Sequence, residues 1–142
     1  MKRVLLKTLL AAAVVAMALP AAAQTKLKWA HVYETSEPYH TESVWAAEEI
    51  KKRTNGKFEI QVFPASSLGK ETDINQGMLL GTVDMIISGP SFAARSYPRL
   101  GIAYYPFIFR DGEHLLAYSK SDVFKEMVDG FREKTGIQIL AY

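Results

Sequence analysis

The sequence contains no cysteine. Disulfides, thiolate metal sites and a lipid-modified N-terminal cysteine are therefore excluded, and stability must come from packing and hydrogen bonds. Beyond the N-terminal stretch, no apolar run reaches the ~20 residues needed to cross a bilayer. Excess charge is missing as well. Residues 1–23 hold three of the 17 basic residues and none of the 15 acidic ones, leaving 14 against 15, a balance of −1, for the rest. The apparent basicity belongs to the N-terminus and gives no argument for a nucleic-acid partner. There is no internal repeat and no low-complexity tract. A GxSxG nucleophile elbow, a P-loop, a GxGxxG fingerprint and an HExxH helix are all absent. Glu48 and Glu49 are adjacent, so they diverge by about 100° on a helix and make a poor acid–base pair. His40 and Glu42 stand two apart on a predicted helix and do not share a face, while His31 lies on a predicted strand. Neither a catalytic residue, nor a metal site, nor a cofactor is expected.

What is present begins with a leader. Lys2, Arg3 and Lys7 precede and flank an apolar stretch from Val4 to Leu19, which Pro20 breaks before Ala21-Ala22-Ala23. This is the pattern of a secretory signal peptide over residues 1–23, cut after Ala23, and it predicts a periplasmic product starting at Gln24. The apolar stretch is short for an uncleaved anchor. The remaining ~120 residues suffice for one modest domain.

Leu27 to Val32 alternates and predicts a first strand. Ser36 is the expected N-cap of a helix with Pro38 in its first turn, running to about Thr54. Val44, Ala47 and Ile50 are its expected apolar face, and Lys51, Lys52 and Arg53 suit its C-terminal dipole. Asn55-Gly56 turns the chain into a second strand, Phe58 to Phe63. Pro64 to Gly69 is loop. Lys70 to Leu80 predicts a second helix with Ile74, Met78, Leu79 and Leu80 on one side, ended by Gly81. Val83 to Ser88 predicts a third strand buried on both faces. Ser91 to Arg95 is a short helical turn. Asp111–Tyr118 and Asp122–Lys134 predict two further helices, and Gly136 separates the last from a final strand, Ile137 to Tyr142. Strand and helix alternate as in α/β folds, with right-handed crossovers expected. Ligands in such sheets sit outside the carboxyl ends of the strands. That singles out the loops after Val32, Phe63 and Ser88.

Several blocks then carry a resemblance. Leu27 to Tyr33, Gly56-Lys57-Phe58-Glu59-Ile60 through Pro64 and Leu68-Gly69, Gly81-Thr82-Val83-Asp84, Tyr105-Pro106-Phe107-Ile108-Phe109, Asp111 to Ala117 and Gly136 to Leu140 occur in order and spacing. Together they resemble the extracytoplasmic solute-binding proteins of TRAP transporters, the tripartite ATP-independent periplasmic family. The resemblance covers essentially the whole chain after the leader. Each block has a local reading too: Gly81 caps a helix, and Phe107 to Phe109 is expected in a core rather than around a ligand.

The resemblance implies a periplasmic-binding-protein-like α/β lobe of three-layer αβα type, residues 24–142, the first of two lobes. Family members are longer, so the sequence is expected to be an N-terminal fragment. It implies noncovalent capture of a small organic acid and delivery to integral-membrane permease subunits driven by an ion gradient. A sensory-receptor domain and the binding protein of an ATP-driven importer are the alternatives. The family's carboxylate-binding arginine belongs to the second lobe, so Arg95, Arg99 and Arg110 do not inherit its role. The first lobe would contribute His31, Tyr33, Glu71, Ser88, Ser91 and Phe92. His31 is either a donor to a ligand or a satisfied structural histidine. Tyr33 suits a half-wet site. Glu71 either binds a ligand hydroxyl or amine or favours its helix N-terminus. Ser88 and Ser91 flank Gly89-Pro90, a turn where exposed backbone N–H groups could also meet an anion. Phe92 could wall the pocket or pack beneath it.

Overall fold

The computed structural model describes residues 24–141, so the predicted signal peptide lies outside the described residues. Three parallel strands form the sheet in the order β2-β1-β3: β1 (Thr25–Ala30), β2 (Phe58–Phe63) and β3 (Met85–Ile86). Thr25 pairs with Phe58 and Ala30 with Phe63 along the full β1–β2 ladder, and Ala30 also pairs with Ile86. Between and after the strands run α1 (Pro38–Arg53), α2 (Glu71–Leu80), a single turn α3 (Pro90–Ala93), a 3-10 segment (Pro98–Tyr104), α4 (Gly112–Ser119) and α5 (Asp122–Thr135). This is the α/β lobe expected from the alternation. No helix among the described residues is long and apolar enough to cross a membrane.

Glycine conformation ends the helices where the sequence places them. Gly81 and Gly136 sit at α2 and α5 termini with φ of 72° and 74°, a region that costs a side-chain-bearing residue energy. The Gly81-Thr82-Val83-Asp84 block has a physical explanation. A Cβ on Gly77 would stand 3.0 Å from Val83 Cγ2, so α2 can approach the strand only because residue 77 lacks one. Asp84 Oδ2 then accepts from Lys28 N at 2.8 Å while Asp84 N donates to Lys28 O at 3.1 Å. That side chain lengthens the β1–β3 pairing beyond the two residues of β3.

The core is divided. Ala30, Ile74 and Val83 are buried where α2 meets the sheet, with Val32, Phe63, Met78 and Ile86 packed around them. Leu100, Phe124, Met127 and Phe131 form the second cluster, flanked by Ala93, Tyr97 and Tyr118. A cavity of about 410 Å³ lies between them, walled by β3 and Trp29 on one side and by Phe131 and Ile137 to Ala141 on another.

Several expectations are corrected. Glu37, not Ser36, holds the N-cap position of α1, because the Glu37 carboxylate reaches back to accept from Glu34 N at 2.8 Å and Pro38 opens the helix. The buried line of α1 is Ser43 and Ala47, with Val44 exposed: Ser43 conceals its hydroxyl by donating to Tyr39 O at 2.6 Å. Leu79 and Leu80 are exposed, since α2 turns only Ile74, Gly77 and Met78 toward the sheet. The third strand is two residues long and half-buried, because among the described residues only β1 pairs with it. Residues 137–141 form no strand, lacking a ladder partner. Phe107 is wholly exposed with φ of 62°, not in the core. Its neighbour Phe109 does pack, edge-on to His114 at 5.5 Å and against Tyr118 at 5.1 Å.

Candidate functional site

The carboxyl ends of β1 and β3 bring four of the six candidate residues to one region. His31 follows β1 directly and extends its ladder, donating from N to Phe63 O at 3.0 Å. It is 1 % exposed, so its imidazole lies beneath the surface. Two residues on, Tyr33 is half-buried and stacks on Tyr39 from the first turn of α1, with ring centroids 4.2 Å apart and planes at 22°. The loop after β2 locks this segment: Ala65 N donates to Tyr33 O at 2.9 Å and Ser66 N to His31 O at 3.3 Å. Ala65 and Ser66 both hold positive φ, of 50° and 57°. Each such residue costs on the order of 1–3 kcal/mol, a strain the two hydrogen bonds help to hold.

The second half of the region is a network centred on Glu71, the first residue of α2. Glu71 Oε1 accepts from Ser88 Oγ at 2.9 Å and from Gly89 N at 2.8 Å. Asn75 Nδ2 donates to Ser88 Oγ at 2.8 Å and to Glu71 O at 2.7 Å. Ser88 thus both donates and accepts within the protein. Glu71 fixes the Ser88-Gly89 turn through one oxygen, leaving Oε2 as its remaining acceptor. The two halves sense each other. Burial raises the Tyr33 phenol above its ordinary range, and Tyr39, Glu71 and Glu37 add in the same direction. Tyr33 is accordingly a neutral hydroxyl at physiological pH, able to donate.

Ser91 and Phe92 lie on the next turn and join less closely. Ser91 is half-buried, its Oγ 3.8 Å from where a Cβ of Gly89 would stand. The Phe92 ring lies under the Arg95 guanidinium at 5.9 Å. No ring contact to Tyr33 is found for it among the described residues. Arg99 is engaged by Glu126 of α5, at 2.9 Å.

Three contributors were not singled out from sequence as site residues: Tyr39, His40 and Asn75. Asn75 had a legible signal, standing four residues after Glu71 on the same helix face. Tyr39 and His40 open α1, and a helix that follows a strand's carboxyl end starts beside it. His40 Nδ1 lies 3.3 Å from His31 Nε2. Among the described residues no third histidine or carboxylate joins them in a metal-binding group.

A half-buried cluster of phenols, hydroxyls, an amide and a carboxylate at the strand ends of an α/β lobe suits noncovalent recognition of a small polar molecule. Residues 29–142 match the model of bacterial extracellular solute-binding protein family 7, the DctP family. The chain belongs to that family. A solute-binding protein of Roseobacter denitrificans is 31% identical over 121 residues, covering 85% of this chain and 37% of the relative. The 2,3-diketo-L-gulonate-binding periplasmic protein of Escherichia coli is 31% identical over 115 residues, 78% of this chain and 34% of its own. A TRAP periplasmic solute-binding protein from Haemophilus influenzae, solved with L-gulonate, superposes with a TM-score of 0.75 at 28% identity. The match covers 84% of this chain and 39% of that one. One from Xanthobacter autotrophicus, solved with β-D-galacturonate, gives 0.73 at 30% identity over 81% and 38%. The chain therefore spans little more than a third of the length of these relatives.

Proposed function

We propose that this chain supplies one lobe of a periplasmic protein that captures a small organic acid and delivers it to TRAP-type permease subunits driven by an ion gradient. The observation that carries the reading is the Tyr33–Glu71–Ser88 assembly at the carboxyl ends of β1 and β3 in a DctP-family lobe. Tyr33 offers a phenol and Glu71 a free carboxylate oxygen, with Ser91 and Phe92 completing the wall. This set favours a ligand that presents hydroxyl groups to the lobe, so a hydroxylated acid fits better than a plain dicarboxylate. Relatives solved with bound gulonate, galactonate and galacturonate point the same way, and one solved with succinate supplies the competitor. The ligand's own carboxylate would be met by an arginine outside this chain, whose planar fork takes both oxygens. The leader over residues 1–23 would direct the protein to the periplasm, with cleavage after Ala23.

Native mass spectrometry of the protein recovered from its own periplasm tests this reading. The expected result is an N-terminus at Gln24 and a small acidic adduct that is lost on denaturation. The intact mass also reads whether the chain continues past Tyr142. Absence of an adduct, together with no thermal stabilisation by millimolar gulonate, galacturonate or succinate, would remove the capture reading.

A further inference from the structure

The geometry points to His40 as a positioning residue that, through a hydrogen bond shared with buried His31, holds the Tyr33–Tyr39 stack, and whose hold fails when both imidazoles are protonated. The two rings face each other with Nδ1 of His40 3.3 Å from Nε2 of His31. Their centroids are 5.4 Å apart, and the Tyr33 ring is 6.0 Å from His31. Neutral imidazole carries one N–H donor and one acceptor nitrogen, so a neutral or singly protonated pair sustains one N–H···N bond. In the doubly protonated pair both facing nitrogens carry hydrogen. No acceptor remains, and two cations stand within hydrogen-bond distance.

His31 has no exit. It is 1 % exposed, and its backbone is tied on both sides, through N to Phe63 O and through O to Ser66 N. Its other ring nitrogen, Nδ1, is buried as well. His40 is the ring that must yield. It lies next to Tyr39 in the first turn of α1, so its displacement acts on the stack directly.

The other groups facing the pair set the balance. Glu37, from the start of α1, attracts a proton to His31. That carboxylate is also engaged by Glu34 N. From the β1–α1 loop comes Tyr33, on whose phenol Tyr39 of α1 and Glu71 of α2 act. From the β2 side the backbone reaches His31, through Phe63 O and Ser66 N. Burial, followed by the facing His40, holds the His31 imidazole below its ordinary value against the Tyr33 backbone and Glu37. The neutral form is therefore the one the fold accommodates.

The test uses the full chain without ligand, so its outcome is separate from that of the transport reading. Aromatic NMR resonances of Tyr33 and Tyr39 are followed with those of both imidazoles from about pH 8 downward until both rings are protonated. The expected result is loss of the ring-current shifts of the stack along the same curve as the second imidazole protonation. His40→Asn places an amide nitrogen where Nδ1 stands and does not titrate. It is expected to keep the stack at both ends of the range, while His40→Ala weakens the stack at both. A stack unchanged across the range in the wild-type chain would overturn the inference on its own. So would an Asn variant that follows the wild-type pH curve.

Discussion

Removing the Glu71 side chain tests the network that holds the Ser88-Gly89 turn against α2. Its Oε1 accepts two hydrogen bonds, from Ser88 Oγ at 2.9 Å and Gly89 N at 2.8 Å. Hydrogen bonds to a charged acceptor contribute about 1.5–3 kcal/mol each, and half-burial places these two toward the lower end. Truncation lets water reach part of the vacated volume, and alanine regains a little helix propensity. That gain is offset by losing an acidic residue from the first turn, where the dipole favours it. Glu71→Ala should therefore cost about 2 kcal/mol. Glu71→Gln keeps an oxygen acceptor of the same reach and loses only the charge, so it should cost roughly 0.5–1 kcal/mol. For a domain of this size the alanine cost corresponds to a fall in Tm of about 8 °C. The assay is urea unfolding followed by circular dichroism at neutral pH, on Glu71→Ala, Glu71→Gln, Ser88→Ala and the Glu71→Ala/Ser88→Ala double variant. A coupling of about 1 kcal/mol between residues 71 and 88 is expected. Equal stabilities for the alanine and glutamine variants, or additive single effects, would refute the argument that the carboxylate organises the turn.

Stability should also fall with acid. His31 is held below its ordinary value, so between its folded value and about 6.5 the unfolded chain binds the extra proton. The contribution is complete above that range and is lost as pH falls through it, by at most about 1.4 kcal/mol per pH unit for this group. Urea midpoints at several pH values, compared with those of His31→Gln, measure it; a flat profile would contradict the burial of a neutral ring. Phe107→Asn should stabilise the chain by about 0.5–1 kcal/mol, since asparagine tolerates positive φ and the wholly exposed ring gives up no packing. A loss of stability in the same urea assay would mean that the ring has a partner. Gly77→Ala should destabilise by about 1 kcal/mol despite its helix-propensity gain, because the new methyl would press on Val83 Cγ2 and Thr82 Oγ1 at 3.0 Å. An unchanged or raised Tm would show that Val83 can give way.

What was legible in the sequence was local. The strand–helix alternation, the carboxyl-terminal stops at Gly81 and Gly136 and the short turn after Pro90 all depend on residues within a few positions of one another. That alternation singled out the loops after Val32, Phe63 and Ser88, whereas His31, Tyr33, Glu71 and Ser88 were named through the family resemblance. What was not legible depended on partners far along the chain. Val44, Leu79 and Leu80 continue plausible apolar faces yet are exposed among the described residues, whereas Ser43 is buried because its hydroxyl finds a carbonyl one turn back. Met85–Ile86 pairs with one neighbour only, and a strand's length is decided by its neighbours. His31 and His40 are separated by a helix start, so spacing alone assigned them to different elements. Their facing nitrogens follow from how α1 lies against the end of β1.

The candidate region is thus held by two networks with different chemistry. Glu71, Ser88, Asn75 and Gly89 N form a closed set of hydrogen bonds that contains no imidazole, and it fixes the end of β3 to α2. The end of β1 is fixed to α1 by the His31–His40 contact and the Tyr33–Tyr39 stack. Protonation of both imidazoles should therefore loosen one wall of the site and leave the other in place, while truncating Glu71 should do the reverse. A ligand that bridges Tyr33 and Glu71 would feel both perturbations. One seated wholly against the Ser88-Gly89 turn would feel only the second. Measured at about pH 8 and about pH 5 on the wild-type and Glu71→Gln proteins, ligand affinity separates these arrangements. An affinity that falls in acid for both proteins, and is lower for Glu71→Gln at either pH, locates the ligand against Tyr33 as well as Glu71, because the paired imidazoles lie behind the phenol.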